Sequence, residues 1–235
     1  MKRNASKKGF TLIELLLAMT FISILLVMIA TLTLQVSKIY NKGLTLRAVD
    51  QAGQLISSEI QRKLNQADPT TVHFIKIQDG GKPSGGRLCI GRDVYAWNFT
   101  DYIEGVGATA QVNRYQDSST NVRFVKVNGD EKYCVDQDPS TPDIANVTGL
   151  PYASQARDLL AGGDADLVLR SFKIEPADVL GDGSQKIYHV TFIIGTRTAD
   201  LIDSNDTCVP PAGGGDEYCA VNKFDFTARA GGNDD

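Results

Sequence analysis

The chain has 235 residues, 42% of them hydrophobic and 22% charged, and its 24 Lys and Arg against 28 Asp and Glu give a formal charge of −4. That is enough apolar material for one sizeable core or two small ones once an N-terminal segment is set aside. Four of the basic residues stand within the first nine positions, so the remainder holds 20 basic against 28 acidic residues, a balance that does not invite nucleic acid through nonspecific phosphate contacts.

From Phe10 to Leu34 the sequence runs for 25 residues without Lys, Arg, Asp, Gly or Pro, and Glu14 is its only formal charge. As a helix it would measure about 37 Å, against roughly 30 Å for the hydrocarbon layer of a bilayer. Lys2, Arg3, Lys7 and Lys8 precede it with no acidic residue among them, which leaves the N-terminus in the cytoplasm and the rest of the chain outside. Lys38, Lys42 and Arg47 on the far flank weaken that asymmetry without reversing it. A secretory signal has an apolar region of only about 7–15 residues and ends at a small-residue cleavage site. Here Ala18-Met19-Thr20 is followed by further hydrophobics, so ordinary secretory cleavage is not expected.

Glu14 is the anomaly, because a carboxylate at the bilayer centre costs roughly 2.5–3.5 kcal/mol on insertion scales. Thr11-Leu12-Ile13-Glu14 matches the capping box, in which a Thr and a Glu three residues on satisfy free N–H groups at a helix start. The helix dipole also favours a negative charge there. On that reading the segment is a plain anchor and Glu14 needs no partner.

The same stretch, KKGFTLIELLLAM (7–19), resembles the class III signal of type IV pilins and pseudopilins: a short basic leader, then Gly9, an aromatic residue at Phe10, and Glu14 as fifth residue of the mature chain. The resemblance implies that a membrane-embedded aspartic peptidase cuts between Gly9 and Phe10 on the cytoplasmic side and N-methylates Phe10. It implies that Glu14 pairs with the new amino terminus of a neighbouring subunit and sets the register of subunit addition, a pairing that stabilises both buried charges. The implied partners are the prepilin peptidase/methyltransferase, other pilin subunits through the N-terminal helix, assembly platform proteins and membrane lipid. The implied location is the cytoplasmic membrane in a single pass with the head outside, and then a pilus or pseudopilus. Many major pilins carry a proline in this helix; residues 10–34 have none and Thr31 lies near its usual place. A more continuous helix is therefore expected, as in minor pilins and pseudopilins.

Beyond the span, Val49, Ala52, Ile56, Ile60 and Leu64 recur at three- and four-residue steps, one apolar stripe that carries the helix on to about Gln66, where Asp68-Pro69 ends it. Gly43 and Gly53 interrupt it at a cost of up to ~1 kcal/mol each relative to Ala, which points to flexibility or close packing. The organisation expected is thus a leader (1–9), a transmembrane helix (10–34), its amphipathic continuation (35–68) and a β-rich head (69–235).

Within the head, residues 71–78, 92–99, 121–135, 166–174, 186–196 and 223–229 are rich in β-branched and aromatic residues and read as strands. Asn128-Gly129 predicts a hairpin turn inside 121–135, and Gly181-Asp182-Gly183 another before residue 186. A short helix is expected over 152–161, closed by Gly162-Gly163. The fold class is α+β: a long helix whose second half packs on an antiparallel sheet, matching pilin architecture. Residues 231–235 read as a disordered tail.

Cys89, Cys134, Cys208 and Cys219 all fall on the outer side of the membrane, and an even count in an oxidising compartment reads as two disulfides with three possible pairings. Cys89–Cys134 and Cys208–Cys219 are favoured. Metal ligation is disfavoured, since there is no C-x-x-C and both histidines, His73 and His189, lie in strand-like runs. By the pilin resemblance the Cys208–Cys219 loop shapes the displayed surface.

Neither a phosphate-binding loop nor H-E-x-x-H occurs, and no Ser/His/Asp set stands out. Asp200, Asp203, Asp206 and Asp216 lack the spacing of a calcium loop and read as a solvated acidic segment, while Trp97 reads as core. No enzyme activity, metal or cofactor is expected. The function expected is that of a minor type IV pilin of the larger J/W-type. The alternatives are a type II secretion pseudopilin and, in a different class, a membrane-anchored exocytoplasmic binding protein.

Overall fold

The structure, a computed structural model, describes residues 9–107, 110–116, 120–128, 133–134, 149–150, 153–161, 165–180, 185–198, 201–203, 206–209 and 218–231. A single unbroken helix, α1, runs over Leu12–Asn65, about 80 Å at ~1.5 Å per residue. No proline interrupts it, and Thr31 turns its hydroxyl onto the Met28 carbonyl at 2.8 Å. Thr20, Ser23 and Thr33 likewise bond to carbonyls of their own helix. The hydroxyls of the apolar run are therefore satisfied without water, as a lipid environment requires. Arg62 and Lys63 stand in the last turn, where they complement the helix dipole. Past the helix end the Asp68 carboxylate accepts from the Thr70 N–H at 2.8 Å and starts a short 3-10 turn, Pro69–Thr71.

Two antiparallel sheets follow instead of the single one expected. The first holds β1 (Val72–Asp79), β2 (Lys82–Ile90), β3 (Asp93–Asn98), β4 (Phe124–Asn128) and β5 (Ala156–Asp158) in that order. The second holds β6 (Leu167–Leu180), β7 (Gln185–Thr196) and β8 (Val221–Ala230). Helix α1 lies against β8. Its stripe of Val49, Ala52, Ile56, Ile60 and Leu64 is buried.

Three local expectations are overturned. Residues 82–90 form β2 although Pro83, Gly85 and Gly86 give the segment poor strand propensity. The two glycines are there for space: a Cβ at Gly85 would stand 2.2 Å from the Trp97 carbonyl oxygen, and one at Gly86 would stand 2.6 Å from the Trp97 ring. The expected helix over 152–161 is a 3-10 turn, Ala153–Gln155, followed by β5. Pairing of Val127 with Ala156 and of Val125 with Asp158 overrides the local preference. Tyr133 and Cys134 do not continue a hairpin, because β4 is already flanked by β3 and β5 and Cys134 is bonded to Cys89. The two glycine turns expected at 129 and 181–183 lie outside the described residues, as does the tail beyond Gly231.

A row of aromatic rings joins the layers. Phe74 stacks near Trp97 (6.0 Å), Trp97 meets Phe172 (4.4 Å), Phe172 meets Phe192 (6.0 Å) and Phe192 meets Phe224 (5.1 Å). The row passes from the first sheet through the second to the helix, and Trp97 belongs to this core. The first sheet is buried on its other face too. There Cys89, Val94, Ala96, Val125 and Val127 lie under Val122, Tyr133, Cys134 and Leu150.

Buried Asn98 and Asn113 pin that cover to the end of β3. The Asn98 amide donates to the Asn113 and Val122 carbonyls, both at 2.9 Å. The Asn113 amide donates to the carbonyls of Gly86 (3.1 Å) and Trp97 (2.7 Å), and its carbonyl oxygen accepts from buried Arg87 at 2.7 Å. Burial pulls the Arg87 guanidinium down to about 10. Arg123 ties the two sheets, reaching Asp158 at 2.8 Å and Asp166 at 3.1 Å, with Arg197 on Asp166 as well.

Candidate functional site

The segment that carries the sequence motif begins outside the helix. Gly9 and Phe10 are non-helical and exposed, with Phe10 86% accessible. Thr11 is extended, at φ −80° and ψ 153°, and serves as N-cap. Its hydroxyl oxygen accepts the Glu14 N–H at 3.3 Å, and its own N–H and hydroxyl donate to Glu14 Oε2, each at 2.9 Å. The capping box is complete, and it provides Glu14 with partners inside its own chain. The leader up to Lys8 lies outside the described residues.

From Leu12 to Ile39 no large apolar side chain of α1 is covered by the other described residues. The helix is long and apolar enough to cross a membrane by length and composition. Its exposed apolar surface does not stop at the end of the span. Ile39, Tyr40, Leu44, Leu46 and Leu55 are all exposed, Leu55 at 64%. Leu44, Ala48 and Leu55 form one wall of a groove of about 980 Å³ whose opposite wall includes Leu160, Ala165 and Tyr218.

The head is fastened to α1 in two ways. Along β8 the contact is intimate and runs parallel to the helix. The Asn41 amide donates to the Tyr218 hydroxyl (3.2 Å), the Asn222 amide to Asp50 (2.7 Å), the Gln61 amide to the Thr227 carbonyl (3.2 Å), and the Gly231 N–H to the Ala67 carbonyl (2.9 Å).

The first sheet, which shares the apolar core with the helix stripe, is tied to the helix by charge as well. Lys126 on β4 bonds Glu59 of the helix at 2.6 Å and lies 3.4 Å from Asp93. Lys63 bonds Asp93 at 2.6 Å and Arg62 bonds Glu59 at 2.7 Å. The Lys126 ammonium, with Arg62 beside it, holds the Glu59 carboxylate down at about 2. Burial, reinforced by the Glu59 charge, pushes the Tyr95 hydroxyl well above the usual phenol range. Sequence reasoning missed this cluster. Glu59 and Lys63 are one helical turn apart, but Asp93 and Lys126 come from separate strands, and the only local sign was a charge at an inward position of β4.

Cys89 is joined to Cys134 and Cys208 to Cys219. The first bond fastens the cover over the outer face of the five-stranded sheet. The second closes the loop that leads into β8, whose residues 210–217 lie outside the described set. Of the acidic segment, the Asp203 carboxylate accepts from the Thr207 N–H and hydroxyl, and Asp206 pairs with Arg170 at 2.6 Å. Asp200 and Asp216 lie outside the described residues. His73 stands in β1 and His189 in β7, where His189 is 3.1 Å from Asp225.

Residues 4–30 match the family described as the prokaryotic N-terminal methylation motif. No curated protein and no solved structure matches the chain. The matched stretch contains Gly9, Phe10, Thr11 and Glu14 and ends within the apolar run. It is a class III signal of the type IV pilin and pseudopilin kind, which implies processing by prepilin peptidase and pilin-type assembly. The long N-terminal helix on antiparallel sheets is a pilin-like α+β architecture. The apolar helix and the motif together point to membrane anchoring.

Proposed function

We propose that this chain is a minor type IV pilin, a filament subunit that is anchored by Phe10–Leu34, cut between Gly9 and Phe10, N-methylated at Phe10, and drawn into a pilus or its tip complex, where it helps to start assembly. It is a substrate of the peptidase and not an enzyme, and its head faces away from the cytoplasm. Glu14 serves as the docking element for a neighbouring subunit's terminus.

The observation that carries this reading is that the methylation motif stands at the head of a helix with more exposed apolar surface than an anchor needs. A tether requires about 20 apolar residues, and here exposed Leu and Ile continue some 20 residues past the span to Leu55. Apolar surface of that extent marks a protein contact, which filament packing supplies. The test is mass spectrometry of the N-terminus after purification from native membranes. N-methyl-Phe10 is the expected result, and an intact Met1 beside an active peptidase would overturn the reading.

Two other readings keep specific support. The unbroken helix suits a secretion pseudopilin equally well. Genes beside this one decide between them, a retraction ATPase favouring a pilus and a secretin with cargo genes favouring secretion. The completed Thr11–Glu14 capping box supports a membrane-tethered binding protein, in which Glu14 is satisfied by its own chain.

A further inference from the structure

We infer that the Thr11 side chain is a positioning residue for cleavage: by capping α1 it holds the Gly9–Phe10 peptide bond outside the helix, where the peptidase can engage it. The inference rests on the processing reading above.

The first backbone bond of the helix runs from the Leu15 N–H to the Thr11 carbonyl at 3.2 Å. One residue earlier, the Glu14 N–H goes to the Thr11 hydroxyl oxygen. Without that hydroxyl, the helical partner of the Glu14 N–H would be the Phe10 carbonyl, and that of the Ile13 N–H would be the Gly9 carbonyl. The Gly9 carbonyl belongs to the bond to be broken, and the Phe10 carbonyl follows it. Unpaired donors are expensive near lipid, so an uncapped helix is driven to grow backwards through both residues. Gly9 opposes that growth through its low helix propensity. The Thr11 cap opposes it further by satisfying the Glu14 N–H.

The consequence is chemical. In hydrolysis, water adds to the Gly9 carbonyl carbon, the bond to the Phe10 nitrogen breaks, Gly9 leaves as carboxylate and Phe10 as amine. A peptide bound as an extended strand offers its backbone N–H and C=O groups to the enzyme, whereas a helix has already used them. Among the described residues nothing lies within 4 Å of a Cβ placed on Gly9, and Phe10 is exposed.

The experiment is a pulse-chase of the full-length precursor in membranes with its peptidase, reading the initial rate of cleavage. Thr11→Val keeps the shape of threonine and loses the cap. It should be cut about fivefold more slowly, the equivalent of ~1 kcal/mol. Thr11→Ser and Thr11→Asn restore a cap and should stay within about twofold of the parent. A parental rate for Thr11→Val would overturn the inference. So would Ser and Asn variants as slow as Val, which would mean that the enzyme reads the threonine itself. A parent that is never cut would overturn the processing reading and this inference with it.

Discussion

The Phe224 ring lies directly on the backbone of Gly53: a Cβ at that position would fall 1.9 Å from Phe224 Cζ. Glycine within a helix costs up to ~1 kcal/mol relative to Ala, and here the cost is repaid by letting β8 close onto α1. The ring cannot easily yield, because it is stacked on Phe192 at 5.1 Å. Gly53→Ala should therefore destabilise, with overpacking of about 1–3 kcal/mol outweighing the gain in helix propensity. Among the described residues nothing lies within 4 Å of the same position at Gly43, so Gly43→Ala should be neutral or stabilising by up to ~1 kcal/mol. Denaturant midpoints of the two variants check this, and a Gly53→Ala as stable as Gly43→Ala would contradict it.

The two disulfides should differ in what they hold. Cys89–Cys134 spans 45 residues and Cys208–Cys219 spans 11, which corresponds to about 4 and about 3 kcal/mol of loop-closure stabilisation. Cys89 is fully buried and its bond secures the cover over the five-stranded sheet. The paired Cys89→Ala and Cys134→Ala variant should lose more stability than the Cys208→Ala and Cys219→Ala variant. It should also expose apolar surface to a hydrophobic dye. Equal losses would mean that the Cys89–Cys134 bond is not what holds the cover.

The Glu59–Lys126 pair predicts an acid-sensitive attachment of the first sheet. The folded carboxylate titrates at about 2 against an ordinary value of 4.5. Its contribution is therefore complete above about pH 4.5 and is lost as the pH falls towards 2. Glu59→Gln should cost on the order of 1–2 kcal/mol at neutral pH, between the values for exposed and buried pairs, since Lys126 keeps Asp93 at 3.4 Å. Melting curves of parent and variant should converge between pH 4.5 and pH 2. Parallel curves across that range would show that the pair contributes nothing.

What was legible in the sequence follows from how local each signal is. The stripe from Val49 to Leu64 and the cap at Thr11 are set by neighbours within one or two turns, and both appear in the structure as written. The sheets were harder. Strand β2 is hidden by Gly85 and Gly86, which exist to admit Trp97 from another strand. Strand β5 is a strand only because β4 pairs with it. The split into two sheets, and the cluster of Glu59, Lys63, Asp93 and Lys126, depend on contacts between distant segments that no spacing encodes.

Glu14 separates the filament reading from the tether. In the isolated chain its carboxylate is held by Thr11, so docking onto a neighbouring terminus must exchange those bonds for an ion pair. Two buried opposite charges stabilise one another, and removing one strands its partner. Glu14→Ala should thus leave cleavage after Gly9 largely intact while lowering recovery in sheared filaments at least tenfold, the equivalent of ~1.4 kcal/mol or more per docking event. Gly9→Val, by contrast, should leave an uncut precursor in the membrane. If the Glu14→Ala protein enters filaments as well as the parent does, the carboxylate serves only its own helix, and the capping box accounts for it in full.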